Sequence, residues 1–397
     1  MLRALPPHVR LRSTVFVGSF DRFTIPPLLI PISHAFGISL GAAAAVASVY
    51  FVTYGAGQAV WGTLSDRFGR VVVLRVGVAA GALACIASAL APGLATLVVV
   101  RALAGFFFGA PMPTSLTYLG DTVPPRRRQQ ALVFLMAFAS AGVALGTIVG
   151  GICAQFFDWR TAFAVSAVLA VGSSLMLIGL PEPPRERPDA GALRQVGKIL
   201  RDRWAPIVIG LGFLDGVVVF GALTFVAAAL QHNGVGAALA GSAAAGFGIA
   251  NSLCAPLVTR ALRTHATPVL IAGGASLAAA GLALCAIKAT VPTTVVATAA
   301  LGAGFGFMHT SFQMWATEVV PEARAVTISF FAAAVFLGGA AASAAAAPLL
   351  DDARFSAVFL IAAGGAVAVA IGGSLLRARY LATVERPLPL NQSFTTR

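Results

Sequence analysis

Charged side chains are scarce in this sequence: Asp, Glu, Lys and Arg together make up 10% of its 397 residues, against about a quarter in a water-soluble domain. So few charges cannot clothe a water-facing surface of that size, which excludes a soluble globular protein. Acids are rarer still, 14 against 27 Lys and Arg, for a net charge of +13. In a soluble chain that charge would raise nucleic acid as a partner. Here the arginines stand in short clusters between apolar runs, and no nucleic-acid partner is expected. Only four cysteines occur, Cys85, Cys153, Cys254 and Cys285, each in or at the end of an apolar run and none close to another. They read as small buried hydrophobes and not as a disulfide or zinc framework. The five histidines lack metal-ligand spacing, no nucleophile–base set is evident, and the glycine cluster Gly302-Ala-Gly304-Phe-Gly306 follows no strand. The expectation is a protein that is not an enzyme, with no catalytic residues, metal, cofactor or nucleotide-binding domain.

What the chain has in quantity is apolar surface: 58% hydrophobic residues and a mean hydropathy of +0.89. A helix crossing a bilayer takes roughly 20 apolar residues. Such runs occur at 13–33, 40–61, 71–91, 94–117, 130–151 and 161–180, then at 204–229, 236–258, 267–287, 293–314, 325–347 and 355–376. They are too long for barrel strands and lack in/out alternation, so the expected fold is an all-α membrane protein of 12 spans. The first run contains an acid and lacks a small-residue cleavage site, which favours an uncleaved helix over a signal peptide. With the N-terminus placed inside, the inner loops and tails carry 21 of the 27 Lys and Arg residues. That imbalance predicts cytoplasmic termini and a plasma-membrane (inner-membrane) location.

The expected organisation is one six-helix bundle over 1–180, a linker over 181–203, a second bundle over 204–380, and a disordered cytoplasmic tail over 381–397. The linker opens on a proline-broken stretch from Pro181. Its second part, Ala192–Arg203, has leucine and basic residues at helical spacing, as in a helix lying on the inner leaflet or one simply solvated. The halves align in order. Gly18-Ser-Phe-Asp21 matches Gly212-Phe-Leu-Asp215, Leu64, Arg67 and Arg70 match Leu257, Arg260 and Arg263, and Arg160 matches Arg354, all at offsets of about 194. A duplicated six-helix unit explains this.

The most specific stretch is Gly62-Thr63-Leu64-Ser65-Asp66-Arg67-Phe68-Gly69-Arg70, read as a glycine-bounded turn in which Gly62 and Gly69 allow close helix approach and Asp66 can sit at a helix N-terminus. It resembles the loop between the second and third helices of the major facilitator superfamily, and the duplicated halves resemble that superfamily's two bundles. The resemblance implies a cytoplasmic latch between halves carried by Gly62, Asp66, Arg67, Gly69 and Arg70; the plainer alternative is a positive-inside turn. Arg101, in Arg101-Ala-Leu-Ala-Gly105-Phe, resembles the conserved arginine of helix four, linked in the family's antiporters to proton coupling; snorkelling to the outer surface is the alternative. Gly142, Gly146, Gly150 and Gly151 resemble the antiporter signature of helix five with Thr147 at the proline position, or serve as small-residue packing.

Charges inside a span cost at least ~2.5 kcal/mol and are functional by default. Asp21 and Arg22 are such charges, and neighbours on a helix point about 100° apart, so they do not simply neutralise each other. Asp21 is the first candidate for a proton-carrying carboxylate, with Arg101 as partner, and Asp215 is the second; a structural interhelix pair is the alternative. Arg22, Tyr50, Gln58, Phe107, Asn251, His309 and Gln313 are candidate cavity liners. The whole reads as a secondary transporter working as a monomer among membrane lipids. The resemblance implies proton-coupled export of an amphipathic small molecule, with the proton gradient as energy source. An importer or facilitator of a small metabolite such as a sugar or organic acid is the second reading.

Overall fold

The computed structural model describes residues 7–184 and 192–384. Among the described residues twelve helices are long and apolar enough to span a membrane: α1 Pro7–Phe36, α2 Leu40–Phe68, α3 Arg70–Ala89, α4 Leu94–Thr122, α5 Pro125–Phe156, α6 Trp159–Met176, α7 Ala205–His232, α8 Ala237–Thr264, α9 Thr267–Ile287, α10 Val291–Glu318, α11 Pro321–Ala345 and α12 Phe355–Val384. Helices are what lipid demands, because every backbone N–H and C=O must find a partner within its own segment. Several run longer than the apolar stretches that announced them. α2 and α4 each continue a turn or more past their apolar core, since a helix that has left the hydrocarbon keeps its ladder until a residue breaks it.

The nonapeptide illustrates this and corrects its reading as a turn. α2 stays helical through Phe68, and the break falls on Gly69 alone, at φ 109° and ψ 150°, a conformation that side chains with a Cβ rarely adopt. Gly62 is mid-helix with no neighbour within 4 Å of where its Cβ would stand, so it serves no close helix approach.

The duplication seen in sequence governs the packing. In the first half α1 packs on α5, α2 on α4, and α3 on α4 and α6. In the second half α7 packs on α11, α8 on α10, and α9 on α10 and α12. Each pair reappears six helices later. The seam between halves is made by α2 with α11 and α5 with α8, two contacts that exchange under the same six-helix shift, as a pseudo-twofold along the membrane normal requires.

Small residues let the helices meet backbone to backbone, the means of association available in lipid. A Cβ at Gly142 or Gly146 would strike the α1 backbone at Phe16 and Phe20, and one at Gly150 would lie 2.7 Å from the Thr24 carbonyl. Gly151 faces Ala237 of α8 across the seam. The antiporter-like glycines thus seat α1 on α5 and close the seam, and α5 runs unbroken through Thr147, whose hydroxyl bonds the Ala144 carbonyl at 2.9 Å.

The two helices that carry the halves' matching acids, α1 and α7, are each irregular within their spans. α1 tightens to a 3₁₀ turn at Pro26–Leu28, where two prolines lack the N–H that an α-helix needs. The Pro27 carbonyl accepts instead from Gln231 Nε2 of α7 at 3.0 Å. α7 widens to a π turn over Val217–Gly221, a local expansion frequent at functional sites.

The linker helix, Ala192–Arg201, takes a third arrangement besides the two expected. Its Ile199 is buried against Ala205, Val320 and Ala323 of the second half. It is docked on protein, while Leu200 stays exposed. The expected tail begins inside α12, and its residues 385–397 lie outside the described residues, as do linker residues 185–191.

Candidate functional site

Asp21 and Asp215 occupy matching places in the two halves, and the structure gives them different partners. Asp21 points into the first bundle. Arg101 Nη1 and Nη2 donate to its two carboxylate oxygens at 3.0 and 2.6 Å, and Cys85 Sγ donates at 3.3 Å. The guanidinium lies between the rings of Tyr50 and Phe163, 4.7 Å from each. Both members of the pair are 0% exposed. Arg101 therefore does not snorkel, and the partnership expected from sequence is present. The geometry is that of a bidentate interhelix clamp of α1 and α4, closed to the seam.

Asp215 of α7 has His309 of α10 as partner, with Nδ1 2.6 Å from Oδ2. The carboxylate is wholly buried, and its Oδ1 has no hydrogen-bond partner. The imidazole, by contrast, keeps 22% of its side-chain exposure and stacks on Phe305 at 4.4 Å with Phe331 at 5.4 Å. This pair has what the Asp21–Arg101 clamp lacks: one partly exposed member, backed by an acid with an oxygen that has no hydrogen-bond partner. The short N···O contact is a hydrogen bond that joins α7 to α10.

Arg22 leaves α1 on the side away from Asp21 and enters the seam. Its guanidinium lies 4.5 Å from the Tyr54 ring of α2, 4.9 Å from Phe336 of α11 and 5.1 Å from Phe23. Above it the seam is filled by aromatics of both halves: Phe51 on Phe220 at 6.0 Å, Phe220 on Phe336 at 5.4 Å, Phe220 on Phe305 at 5.6 Å and Phe247 on Phe305 at 5.6 Å. A chain of ring contacts thus links Arg22 to His309 through Phe336, Phe220 and Phe305.

The halves are held together away from the arginine-rich end. Among the described residues four hydrogen bonds cross the seam, all at mid-membrane or toward the far end. They are Asn251 Nδ2 to Ser140 Oγ at 2.9 Å, Gln231 to Pro27, Ala238 N to Gln155 Oε1 at 2.8 Å, and Gly41 N to Asp351 Oδ1 at 2.7 Å. The last seats a carboxylate of the second half on the N-terminus of α2, where the helix dipole favours it.

At the arginine-rich end the nonapeptide turns inward on its own half. Asp66 pairs with Arg70, and Arg70 Nε also donates to Asp121 Oδ2 of α4 at 3.2 Å. The α3 N-terminus expected for Asp66 is occupied by Glu182, which accepts from Arg70 N at 2.6 Å and Val71 N at 3.0 Å. Asp66 stands in the last turn of α2, where it cannot reach those amides. Arg67 is exposed, its guanidinium 5.4 Å from the Phe68 ring.

The expected cavity liners divide. His309 and Arg22 are at the seam, Asn251 crosses it, and Gln313 is half-buried one turn below His309. Gln58 is buried one turn below Tyr54. Tyr50 is not a liner: it is fully buried in the first bundle against Arg101. Phe107 packs on Trp61 and Phe106. Sequence reasoning missed Tyr54, Phe336, Phe220, Glu182, Asp121 and Asp351. Tyr54 shares a helix face with Tyr50 and Gln58 at four-residue spacing, which could have found it. The acids were few enough to have been followed one by one.

Comparison with known proteins agrees with this architecture. The model of the Major Facilitator Superfamily matches residues 13–231 and 208–396, two matches that overlap in α7. The uncharacterised MFS-type transporter YybF of Bacillus subtilis is 25% identical over 236 residues, 56% of this chain and 58% of that one. The puromycin resistance protein pur8 of Streptomyces alboniger is 31% identical over 150 residues, 38% of this chain and 29% of that one. The chain thus spans little more than half the length of the first relative and less of the second. Among solved structures, the nucleoside transporter NupG superposes with a TM-score of 0.80 over 94% of this chain and 100% of that one, at 15% identity, a likeness of fold alone.

Proposed function

This chain belongs to the Major Facilitator Superfamily, and on that premise we propose that it is a secondary transporter exporting amphipathic small molecules across the plasma membrane in exchange for protons. Both termini are cytoplasmic in this reading, as the arginine distribution requires. The observation that carries it is the Asp215–His309 pair: a fully buried acid with an unbonded oxygen, coupled at 2.6 Å to a partly exposed imidazole on the seam. A buried acid of this kind binds or releases a proton according to what stands beside it, and the seam is where cargo would stand.

Export is favoured by the aromatic filling of the seam, which suits an apolar body, and by the likeness to a puromycin resistance protein. The cross-seam bonds lie away from the arginine-rich end while the nonapeptide makes its described polar contacts within its own half, which supports loading from the cytoplasmic side in this conformation. The latch is then made by Asp66, Arg67 and Arg70 in the opposite state, and the halves rock between the two. Proton movement follows the Asp215–His309 pair, while the Asp21–Arg101 clamp holds α1 to α4.

The second reading, an importer or facilitator of a small metabolite, has one observation in its favour: α5 runs straight through Thr147, where the antiporter pattern has a proline. Transport in reconstituted vesicles decides between them. Export requires cargo movement that is accelerated by an imposed proton gradient and that itself moves protons; facilitation persists unchanged with the gradient collapsed.

A further inference from the structure

Six charged residues are buried among the described residues, and Arg22 differs from the other five. Asp21 is paired with Arg101, Asp215 with His309 and Arg377 with Glu318, while Arg10 donates to the Ile178 carbonyl. Arg22 is 7% exposed, and its Nε and Nη1 are buried with no hydrogen-bond partner. Within the described spans the two mid-membrane acids are already engaged, Asp21 through both of its oxygens. The three aromatic rings around Arg22 ease its burial by cation–π attraction, but they leave donors of the planar guanidinium fork unanswered. A buried donor set with no acceptor is unfavourable, and the fork matches the paired oxygens of a carboxylate, sulfonate or phosphate.

We propose that Arg22 is the headgroup subsite of the transport path and that the cargo is an amphiphile bearing one oxyanion, held by Arg22 with its apolar body against the Tyr54, Phe336 and Phe220 rings. This rests on the seam being the transport path and names the class of cargo. The placement supports it in two ways. Tyr54 belongs to the first half and Phe336 to the second, so a ligand on Arg22 touches both bodies that must move. In addition, the Arg22 guanidinium lies 4.5 Å from the Tyr54 ring and 4.9 Å from the Phe336 ring, so a cationic drug beside these rings would meet a like charge in place of an empty aromatic box. A neutral amphiphile would leave the donors unanswered.

The test is binding to the purified full-length protein in maltoside micelles, where no proton gradient exists, so that failure of proton exchange leaves the result unaffected. The probes are 11-(dansylamino)undecanoate, its sulfonate and phosphate counterparts, its methyl ester and its trimethylammonium analogue. Wild type is expected to bind at least one oxyanion ten times or more tighter than the ester and to reject the ammonium. Arg22→Gln is expected to erase the preference, while Arg22→Lys, which keeps charge without the fork, retains part of it. Should Arg22→Gln fail to fold, as judged by elution and melting, the lysine variant against the oxyanion–ester contrast decides. Displacement by dodecanoate but not by dioleoylphosphatidylglycerol makes the source a free amphiphile. Wild type without an oxyanion preference, a glutamine variant that keeps it, or displacement by the lipid alone overturns the proposal.

Discussion

Asp21 and Arg22 are chain neighbours with opposite destinations: Asp21 turns into the first bundle to meet Arg101 at 2.6 Å, and Arg22 turns into the seam beneath Tyr54 and Phe336. One helix thus separates a charge paired inside one half from a charge at the seam by nothing more than the 100° step between consecutive residues. The first is matched within one half, and the second has donors without partners at the seam between the halves.

The matched pair should act on stability. Removing one member of a buried ion pair leaves the other uncompensated, at about 3–5 kcal/mol. Asp21→Asn is therefore expected to lower the melting temperature of the detergent-solubilised protein strongly. Its effect should be non-additive with Arg101→Gln, because the double variant removes both charges together. A single variant that melts like wild type would refute the clamp.

The α1–α5 contact makes a second expectation. Gly142 and Gly146 lie against the α1 backbone at Phe16 and Phe20, so Gly146→Val forces two helices apart, at about 1–3 kcal/mol by overpacking. The same change at Gly62, open to 4 Å around, should leave the melting temperature unmoved. Equal effects at the two positions would contradict the packing role assigned to the α5 glycines.

Glu182 holds the start of α3 through two backbone N–H groups. Glu182→Ala removes a charged N-terminal cap, a loss of about 0.5–2 kcal/mol. Proteolysis at the Gly69 junction should quicken accordingly, while Asp66→Ala, which spares those amides, should quicken it less. The opposite order would return the capping role to Asp66.

Asp351 on the Gly41 amide is a bond between the halves at the far end. A hydrogen bond to a charged group contributes about 1.5–3 kcal/mol, and an exposed one falls near the lower end. Asp351→Ala is expected to raise the population open at the far end about tenfold, as measured by spin-label distances between Gly37→Cys and Ala353→Cys in a background without native cysteines. An unchanged distance distribution would remove Asp351 from the closure.

Twelve spans, two halves and the six-helix repeat were legible in the sequence, because lipid imposes length and hydropathy on every span and duplication leaves acids such as Asp21 and Asp215 in register. The intramembrane charges were legible as well, since each is costly. What sequence could not give was azimuth. Whether Asp21 or Arg22 faced the seam depended on how α1 sits on the Gly142 and Gly146 stripe, and which acid met the α3 amides depended on where the chain returns at Glu182. Tyr50 and Tyr54 differ by one turn and serve different arginines for the same reason. The partners of Asp215 were concealed by the distance in sequence to His309, a residue whose type alone gives no role.

The measurement that bears most directly on the account uses sealed vesicles carrying an internal pH dye and challenged with neutral and anionic amphiphiles, with wild type set beside Asp215→Asn and His309→Gln. Cargo-evoked proton movement in wild type, reduced at least tenfold in both variants while binding in micelles persists, is the expected result. Cargo movement without protons in wild type, or an Asp215→Asn protein that exchanges as wild type does, would contradict proton coupling at this pair.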